Sequence, residues 1–240
     1  MLTQNTIDKM RDLKLLGMLE AWHNLNQTNE HTDLAATELL GLLIDHEVVY
    51  RKNKKQIRLL KNASLRFTNS CLENIGKESG INREQLNQLK DTLWLHNNQN
   101  IIITGPTGVG KTYLACAIAH NACRNGFAAK YYKLSKLLEI LRIAKADGSY
   151  LDFIFKIAKF NCLIFDDWSI EPIPEQRHNN ILDIIDDLYQ KGSVVITSQL
   201  PLEHWHDYIG EPMIADAILD RLINNAIIIN LDRDSLRKNA

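Results

Sequence analysis

Cysteine is scarce in this chain, and no charge of one sign dominates it. The 240 residues include four cysteines, at positions 71, 116, 123 and 162, and no two have the close spacing of a zinc knuckle or a dithiol redox motif. We therefore expect four free thiols in a reducing compartment. The 28 basic and 29 acidic residues leave a net charge of −1. Any attraction for nucleic acid must then come from a local basic patch.

Long apolar runs are absent from the start of the chain. Within the first twenty residues, charged side chains interrupt the apolar positions every few residues, which argues against a signal peptide and against a membrane-spanning helix there. We expect a cytoplasmic protein. Internal repeats and low-complexity tracts are also missing. The length suits one main α/β domain with a smaller appended module.

The pattern of apolar residues divides the chain into three parts. Residues 1–75 contain three stretches with apolar side chains at steps of three and four residues, which predicts a small helical module. Residues 76–95 are mostly polar, contain Gly76 and Gly80, and are predicted to form a linker. In residues 96–240, short apolar strands alternate with helices. That alternation predicts an α/β domain with a parallel sheet covered on both faces.

A phosphate-binding motif lies between a predicted strand at 100–104 and a predicted helix at 111–124. The segment GPTGVGKT has the P-loop pattern G-x-x-x-x-G-K-T in the strand–loop–helix context that this motif requires. Its glycines let backbone N–H groups converge on phosphates at the positive end of the helix dipole. Lys111 is expected to meet the β- and γ-phosphates of ATP, and the Thr112 hydroxyl to bind Mg²⁺. The predicted nucleotide-binding residues here are Gly105, Pro106, Thr107, Gly108, Val109, Gly110, Lys111 and Thr112.

Two carboxylates follow the predicted strand at 161–165. Asp166 is predicted to contact the nucleotide site and bind Mg²⁺, and Asp167 to orient or deprotonate the attacking water. Without the P-loop, the same pair would equally indicate a solvated turn. The next predicted strand, at 193–197, is followed by Gln199, which is expected to hydrogen-bond the γ-phosphate or the water. A merely polar strand end is the alternative for Gln199.

A basic run lies in the predicted helical module. The segment RKNKKQIRLLKNASLR at 51–66 has seven cations, the last of them Arg66, and no acid. On a helix, many of these cations share one face, while Ile57 and Leu60 lie on another. Phosphate contacts by such a face would hold duplex DNA without reading its sequence; a solvated charged face is the alternative. The predicted DNA-binding residues are Arg51, Lys52, Lys54, Lys55, Arg58 and Lys61.

Several segments together resemble one family of ATPases. They are the P-loop, LIFDDW at 163–168, VVITSQLP at 194–201, EHWHDYIGEP at 203–212, ADAILDRL at 215–222 and SLRK at 235–238. Nearly the whole chain resembles AAA+ ATPases of the IstB/DnaC type, which comprise transposition helpers of bacterial insertion sequences and the related helicase loaders. The stretch from TSQLP to ILDRL is closer to the transposition helpers. Ser169 and Arg233 depart from the family pattern, where glycine is usual.

This resemblance implies a P-loop AAA+ core with strand order 5-1-4-3-2 and an ATP-driven homo-oligomer. It also places at Arg221 an arginine finger, which acts on the γ-phosphate held by a neighbouring subunit. Capping or pairing on the surface of its own helix is the alternative for Arg221. Only nine residues follow the last predicted strand. We therefore expect no C-terminal lid domain, and Arg237 is a weak candidate for the second sensor that a lid usually carries.

Three functions fit these motifs to different degrees. The leading interpretation is a bacterial transposition helper that oligomerises on duplex DNA, hydrolyses ATP with Mg²⁺ and stimulates a partner transposase. Its predicted catalytic residues are Lys111, Asp167, Gln199 and Arg221. A DnaC-like helicase loader that prefers single strands is the main alternative. A nucleotide kinase fits least, because the second half of the chain offers no arginine-rich lid over an acceptor and the basic module would be unused.

Overall fold

The chain forms two compact units, Met1–Arg58 and Leu59–Ala240. The structure is a computed structural model that describes residues 4–28, 34–76, 80–168 and 175–232. Within these ranges no helix is long and apolar enough to cross a membrane.

The first unit is built from helices. They are α1 (Gln4–Asp12), α2 (Leu16–Thr28) and the first part of α3 (Ala36–Ala63), whose last turn belongs to the second unit. Its buried core is small and consists of Ala21, Trp22, Leu25 and Leu43. The expected helical module is therefore present, with a core formed where α2 meets the first half of α3.

Helices α2 and α3 approach each other closely at Gly17. A Cβ atom at this position would lie 2.6 Å from the Tyr50 Cβ, so only glycine fits without a shift of the helices. Beside this contact the Glu47 carboxylate is buried and accepts hydrogen bonds from the Met18 backbone N–H (3.0 Å) and the Arg51 Nε (2.6 Å). Burial acts to raise the pKa of Glu47, but these hydrogen bonds outweigh it and the pKa is lowered. Glu47 is therefore a charged anchor between the two helices.

The second unit is an α/β sandwich. Its strands are β1 (Asn100–Thr104), β2 (Ala129–Lys133), β3 (Cys162–Asp166), β4 (Ser193–Ser198) and β5 (Ala226–Asn230). Its helices are α4 (Arg83–Lys90), α5 (Leu93–His96), α6 (Lys111–Arg124), α7 (Leu134–Asp147), α8 (Tyr150–Ile157), α9 (Glu175–Leu188), α10 (Trp205–Ile209) and α11 (Pro212–Ile223).

The five strands form one parallel sheet in the order β2-β3-β4-β1-β5. This order confirms the one that the family resemblance implied. Side chains alternate between the two faces along each strand, so Ile101 and Ile103 pack with α6 while Ile102 packs with α7 and α9. Because both faces are covered, β1, β3 and β4 are buried along their whole length. The carboxyl ends of these strands meet at one edge of the sheet.

The boundary between the units lies earlier than the sequence predicted. The two units meet at Arg58 and Leu59, whereas the sequence analysis placed the module at 1–75 and a linker at 76–95. Leu72, Leu89 and Trp94 are at most 1% exposed and pack in the same core cluster as the isoleucines of the sheet. A polar sequence with few apolar positions concealed this packing, because only those few side chains point inward.

The last described element is β5, and no further helix follows it up to Asp232, where the described chain ends. Ser169, Arg233 and Arg237, for which the sequence analysis stated expectations, lie outside the described residues. Their expected roles stay predictions.

Candidate functional site

The P-loop joins β1 to α6 at the carboxyl edge of the sheet. Gly105 has φ +145°, and a Cβ atom there would lie 2.4 Å from the Leu231 carbonyl oxygen, so the chain after β5 leaves no room for a side chain. Gly110 caps α6 in a left-handed conformation, with φ +94°. That conformation favours glycine. These two positions explain why the loop can turn sharply and present its backbone N–H groups at the start of a helix.

Lys111 is the first residue of α6 and is nearly buried. Its Nζ donates to the carbonyl oxygens of Gly105 (2.7 Å) and Pro106 (2.8 Å). Val109 is fully buried and anchors the loop to the core. The ammonium group is thus held inside the loop that the sequence assigned to phosphates.

Asp166 ends β3 and is completely buried. Its Oδ1 accepts hydrogen bonds from the hydroxyls of Thr112 (2.8 Å) and Thr197 (2.6 Å), and its Oδ2 accepts one from Tyr131 (2.6 Å). Burial, together with this carboxylate, raises the pKa of the Tyr131 phenol, which keeps it a hydrogen-bond donor. The two residues predicted to bind Mg²⁺ therefore lie together and offer the oxygen ligands that this ion prefers.

Asp167 follows directly and has an uncommon backbone conformation, with φ +62°. Its N–H donates to the Thr197 Oγ1 (3.0 Å), and its Oδ2 lies 3.3 Å from the Lys133 Nζ. Lys133 was not among the residues that the sequence assigned to the site. In the structure β2 extends to Lys133, which lies opposite Asp166 in the parallel register.

Gln199 follows β4 and contacts the tip of the P-loop. Its Oε1 accepts a hydrogen bond from the Thr107 hydroxyl at 2.6 Å. Lys111, Thr112, Asp167 and Gln199 border the same cavity of about 360 Å³. The sheet edge therefore brings together all of the predicted catalytic residues except Arg221.

Arg66 and Phe67 also line this cavity, although the sequence did not assign them to it. Arg66 is the last cation of the basic run in sequence, but it does not lie on the same helix, because α3 ends at Ala63 and Ser64 adopts a left-handed φ of +52°. Phe67 lies beside Tyr113 of α6, with ring centroids 5.9 Å apart. Only the tertiary course of the chain brings this segment to the P-loop.

Arg221 lies at the opposite end of the strands, beside the start of β1. The Asn100 amide, at the start of β1, donates to the backbone carbonyls of Arg221 (3.0 Å) and Leu222 (3.1 Å). The P-loop begins at the other end of β1, about 13 Å away for a five-residue strand. The Arg221 guanidinium pairs with Asp186 and donates to the Ala217 carbonyl oxygen (2.8 Å).

The six cations predicted to bind DNA are all exposed on α3. They are not equivalent. Arg51 is tied to the buried Glu47, and the Lys54 ammonium lies 5.8 Å from the centre of the Tyr50 ring. Lys61 lies on the last turn of the helix, beyond the boundary between the units. Lys55 and Arg58 extend the charged surface between these positions.

All four cysteines are free thiols, as the sequence predicted. Burial raises the pKa of Cys116, raises that of Cys123 to about 11, and raises that of Cys162 further. These three thiols are packed in the core and stay protonated at neutral pH, so they are poor nucleophiles.

The family model and the similar proteins of known sequence agree on one family. The family model described as IstB-like ATP binding protein matches residues 8–240. An insertion sequence ATP-binding protein of Sinorhizobium fredii is 39% identical over 100% of this chain and 98% of its own length. The ATP-binding protein of insertion sequence IS1162 from Pseudomonas fluorescens is 38% identical over 84% of this chain and 88% of its own.

Among solved structures, the crystal structure of the DnaC helicase loader is similar in fold. It superposes with a TM-score of 0.54 at 18% identity and covers 67% of this chain and 97% of its own. At this identity the likeness concerns the fold alone. It confirms the α/β core with a parallel sheet that the sequence predicted.

Proposed function

The chain belongs to the family of IstB-like ATP-binding proteins, and from this premise we propose that it is an ATPase that assembles on duplex DNA and stimulates a partner transposase. The relatives named above are ATP-binding proteins of insertion sequences, and such elements need a transposase to move. One observation carries the proposed ATPase activity: the Thr112 hydroxyl donates a hydrogen bond of 2.8 Å to the buried Asp166 carboxylate, directly beneath the P-loop.

ATP is the substrate that fits the cavity at the sheet edge. The P-loop N–H groups and Lys111 supply positive potential where the phosphates would lie. Thr112 and Asp166 would hold Mg²⁺, which neutralises charge on the β- and γ-phosphate oxygens when bound. Asp167 borders the same space, and Lys133 orients its carboxylate from one side. Asp167 is therefore the group placed to accept a proton from the attacking water.

Hydrolysis is proposed to require a second subunit. Arg221 lies at the far end of β1 from the P-loop of its own chain, so we infer that it acts on the site of a neighbour. An arginine that reaches the γ-phosphate stabilises the charge that develops during transfer. Its present partner is Asp186, whose side chain is 44% accessible, so water can replace the guanidinium at this carboxylate when Arg221 moves away.

Duplex DNA is proposed to bind along α3. Exposed lysines and arginines at one end of this helix can contact phosphates without reading bases. Such binding suits a protein that must accept many target sequences. A helicase loader is the competing function, favoured by the likeness in fold to DnaC, and it predicts a preference for single strands.

The test is the affinity for duplex and single-stranded DNA of equal length, with and without a non-hydrolysable ATP analogue. The proposal predicts that the analogue tightens duplex binding and increases the mass of the complex, with single strands bound more weakly. Preference for single strands in both conditions would favour the loader. Equal affinities that do not respond to nucleotide would contradict both.

A further inference from the structure

The segment around the end of α3 is held in place by other elements of the second unit. The Lys130 Nζ donates to the Asn62 carbonyl oxygen and to the Ser64 hydroxyl, both at 2.9 Å. Phe67, the residue after Arg66, lies beside Tyr113 of α6, with ring centroids 5.9 Å apart. Arg66 therefore has a defined place beside the P-loop helix.

The Arg66 guanidinium points to the carboxylate beneath the P-loop. Its Nη1 lies 3.8 Å from the Asp166 Oδ2, the oxygen that also accepts the hydrogen bond from the Tyr131 hydroxyl. The Arg66 side chain is 50% exposed, whereas Asp166 is fully buried. A separation of 3.8 Å is longer than that of a direct charge-assisted hydrogen bond. The arginine is thus placed at the site but is loosely held there.

Bound Mg²⁺-ATP would change the electrostatics around Arg66. A divalent cation beside Asp166 would compete with the guanidinium for the same carboxylate, because like charges at short distance repel. The phosphates would at the same time bring negative charge into the cavity that Arg66 lines with Gly108 and Gly110. A guanidinium pairs well with phosphate oxygens, since two of its N–H groups can donate in parallel.

We propose that Arg66 is part of the ATP site and exchanges the Asp166 carboxylate for the terminal phosphate of bound ATP. This inference rests on the proposed function, and it adds a phosphate-binding residue within the same chain, distinct from the finger supplied by a neighbour. Arg66 then helps the site to distinguish ATP from ADP, which has no terminal phosphate for it to reach.

The test compares ATP and ADP affinities by calorimetry in excess EDTA, so that binding is measured without Mg²⁺. Arg66→Gln keeps a polar side chain that can still donate a hydrogen bond but removes the charge. It should weaken ATP binding roughly tenfold or more, as expected for a lost hydrogen bond to a charged group, and leave ADP binding nearly unchanged. Arg66→Lys keeps the charge and should recover part of the preference for ATP. With ATP present, Arg66→Gln should also lower the Mg²⁺ concentration that gives half-maximal hydrolysis.

Arg142→Gln is the matched control, because Arg142 is exposed on α7 and pairs only locally, with Glu139. It should change neither affinity. Equal losses of ATP and ADP binding in Arg66→Gln would show that Arg66 only shapes the cavity, and unchanged binding of both would exclude it from the site. Either result overturns the inference while the proposed ATPase stands. Failure of the unsubstituted protein to bind ATP would instead remove the proposed function itself.

Discussion

The two units of this protein carry charge in opposite ways. In Met1–Arg58 the functional candidates are cations on the surface of one long helix, over a small apolar core. In Leu59–Ala240 they are buried or half-buried groups at a sheet edge, each fixed by short hydrogen bonds. We therefore expect the first kind of site to depend on the number of charges and on salt, and the second to depend on the exact positions of its hydrogen-bonding groups.

The largest effect is expected in the second unit, where replacing one carboxylate oxygen by an amide nitrogen should be enough. Asp167→Asn should slow ATP hydrolysis on the order of 10³-fold, within the range of general base catalysis, and leave ATP binding intact. Asparagine tolerates the positive φ at this position, so the backbone should be kept. Single-turnover hydrolysis measures the effect, with Asp152→Asn on the exposed face of α8 as the control. If the variant hydrolyses ATP at the normal rate, another group activates the water.

In the first unit, charge must be removed from several residues for a comparable effect. Replacing Lys54, Lys55 and Arg58 by glutamine should flatten the slope of log affinity against log salt by about 2.7, at roughly 0.9 per phosphate contact. Duplex affinity at 0.1 M salt should then fall on the order of 10²-fold for all sequences alike. Fluorescence anisotropy at several salt concentrations measures both quantities.

The control for this prediction replaces three exposed lysines of the second unit, Lys136, Lys156 and Lys191, by glutamine. It has the same net charge and should bind DNA almost normally. Arg51→Gln alone should change the slope by less than one full contact, because Glu47 already neutralises much of its charge. Equal losses in the two triple variants would mean that only net charge matters, and α3 would then be a solvated face.

The smallest predicted effect concerns the packing of the first unit. Gly17→Ala should destabilise it by about 1–3 kcal/mol, because the added methyl group overpacks the contact of α2 with α3. Gly41→Ala is the matched control: nothing lies within 4 Å of its Cβ position. It should be stabilising by roughly 0.5–1 kcal/mol, as for glycine to alanine inside a helix. Hydrogen exchange of α2 measures both, and ATP affinity should not change in either variant.

The sequence predicted the sheet and the strand–loop–helix course of the P-loop because both rest on local patterns. The isoleucine run at 101–103 is typical of a strand that is covered on both faces, and the P-loop motif determines its own flanking elements. The unit boundary and the place of Arg66 were not predictable in this way. They depend on how residues 59–76 and 80–95 pack against the rest of the second unit, through side chains such as Leu72 and Trp94 that follow no clear period.

Arg221 is a second residue whose position could not be predicted from a local pattern. The family resemblance indicates its role, but its distance from the P-loop of its own chain becomes evident only from the order of the strands. The structure also supplies it with an ion-pair partner, Asp186, that no local pattern suggested. Its role between subunits is therefore the prediction to test first.

Mixing two inactive variants tests the central claim that one ATP site is completed by two subunits. Arg221→Ala should retain ATP binding and lose hydrolysis on the order of 10³-fold, as for other arginine fingers. Lys111→Ala should lack a working P-loop but keep Arg221. On duplex DNA, the mixture is predicted to recover ATP hydrolysis that neither variant shows alone. No recovery, in samples where co-assembly has been demonstrated by mass, would contradict the account and leave Arg221 as a structural partner of Asp186.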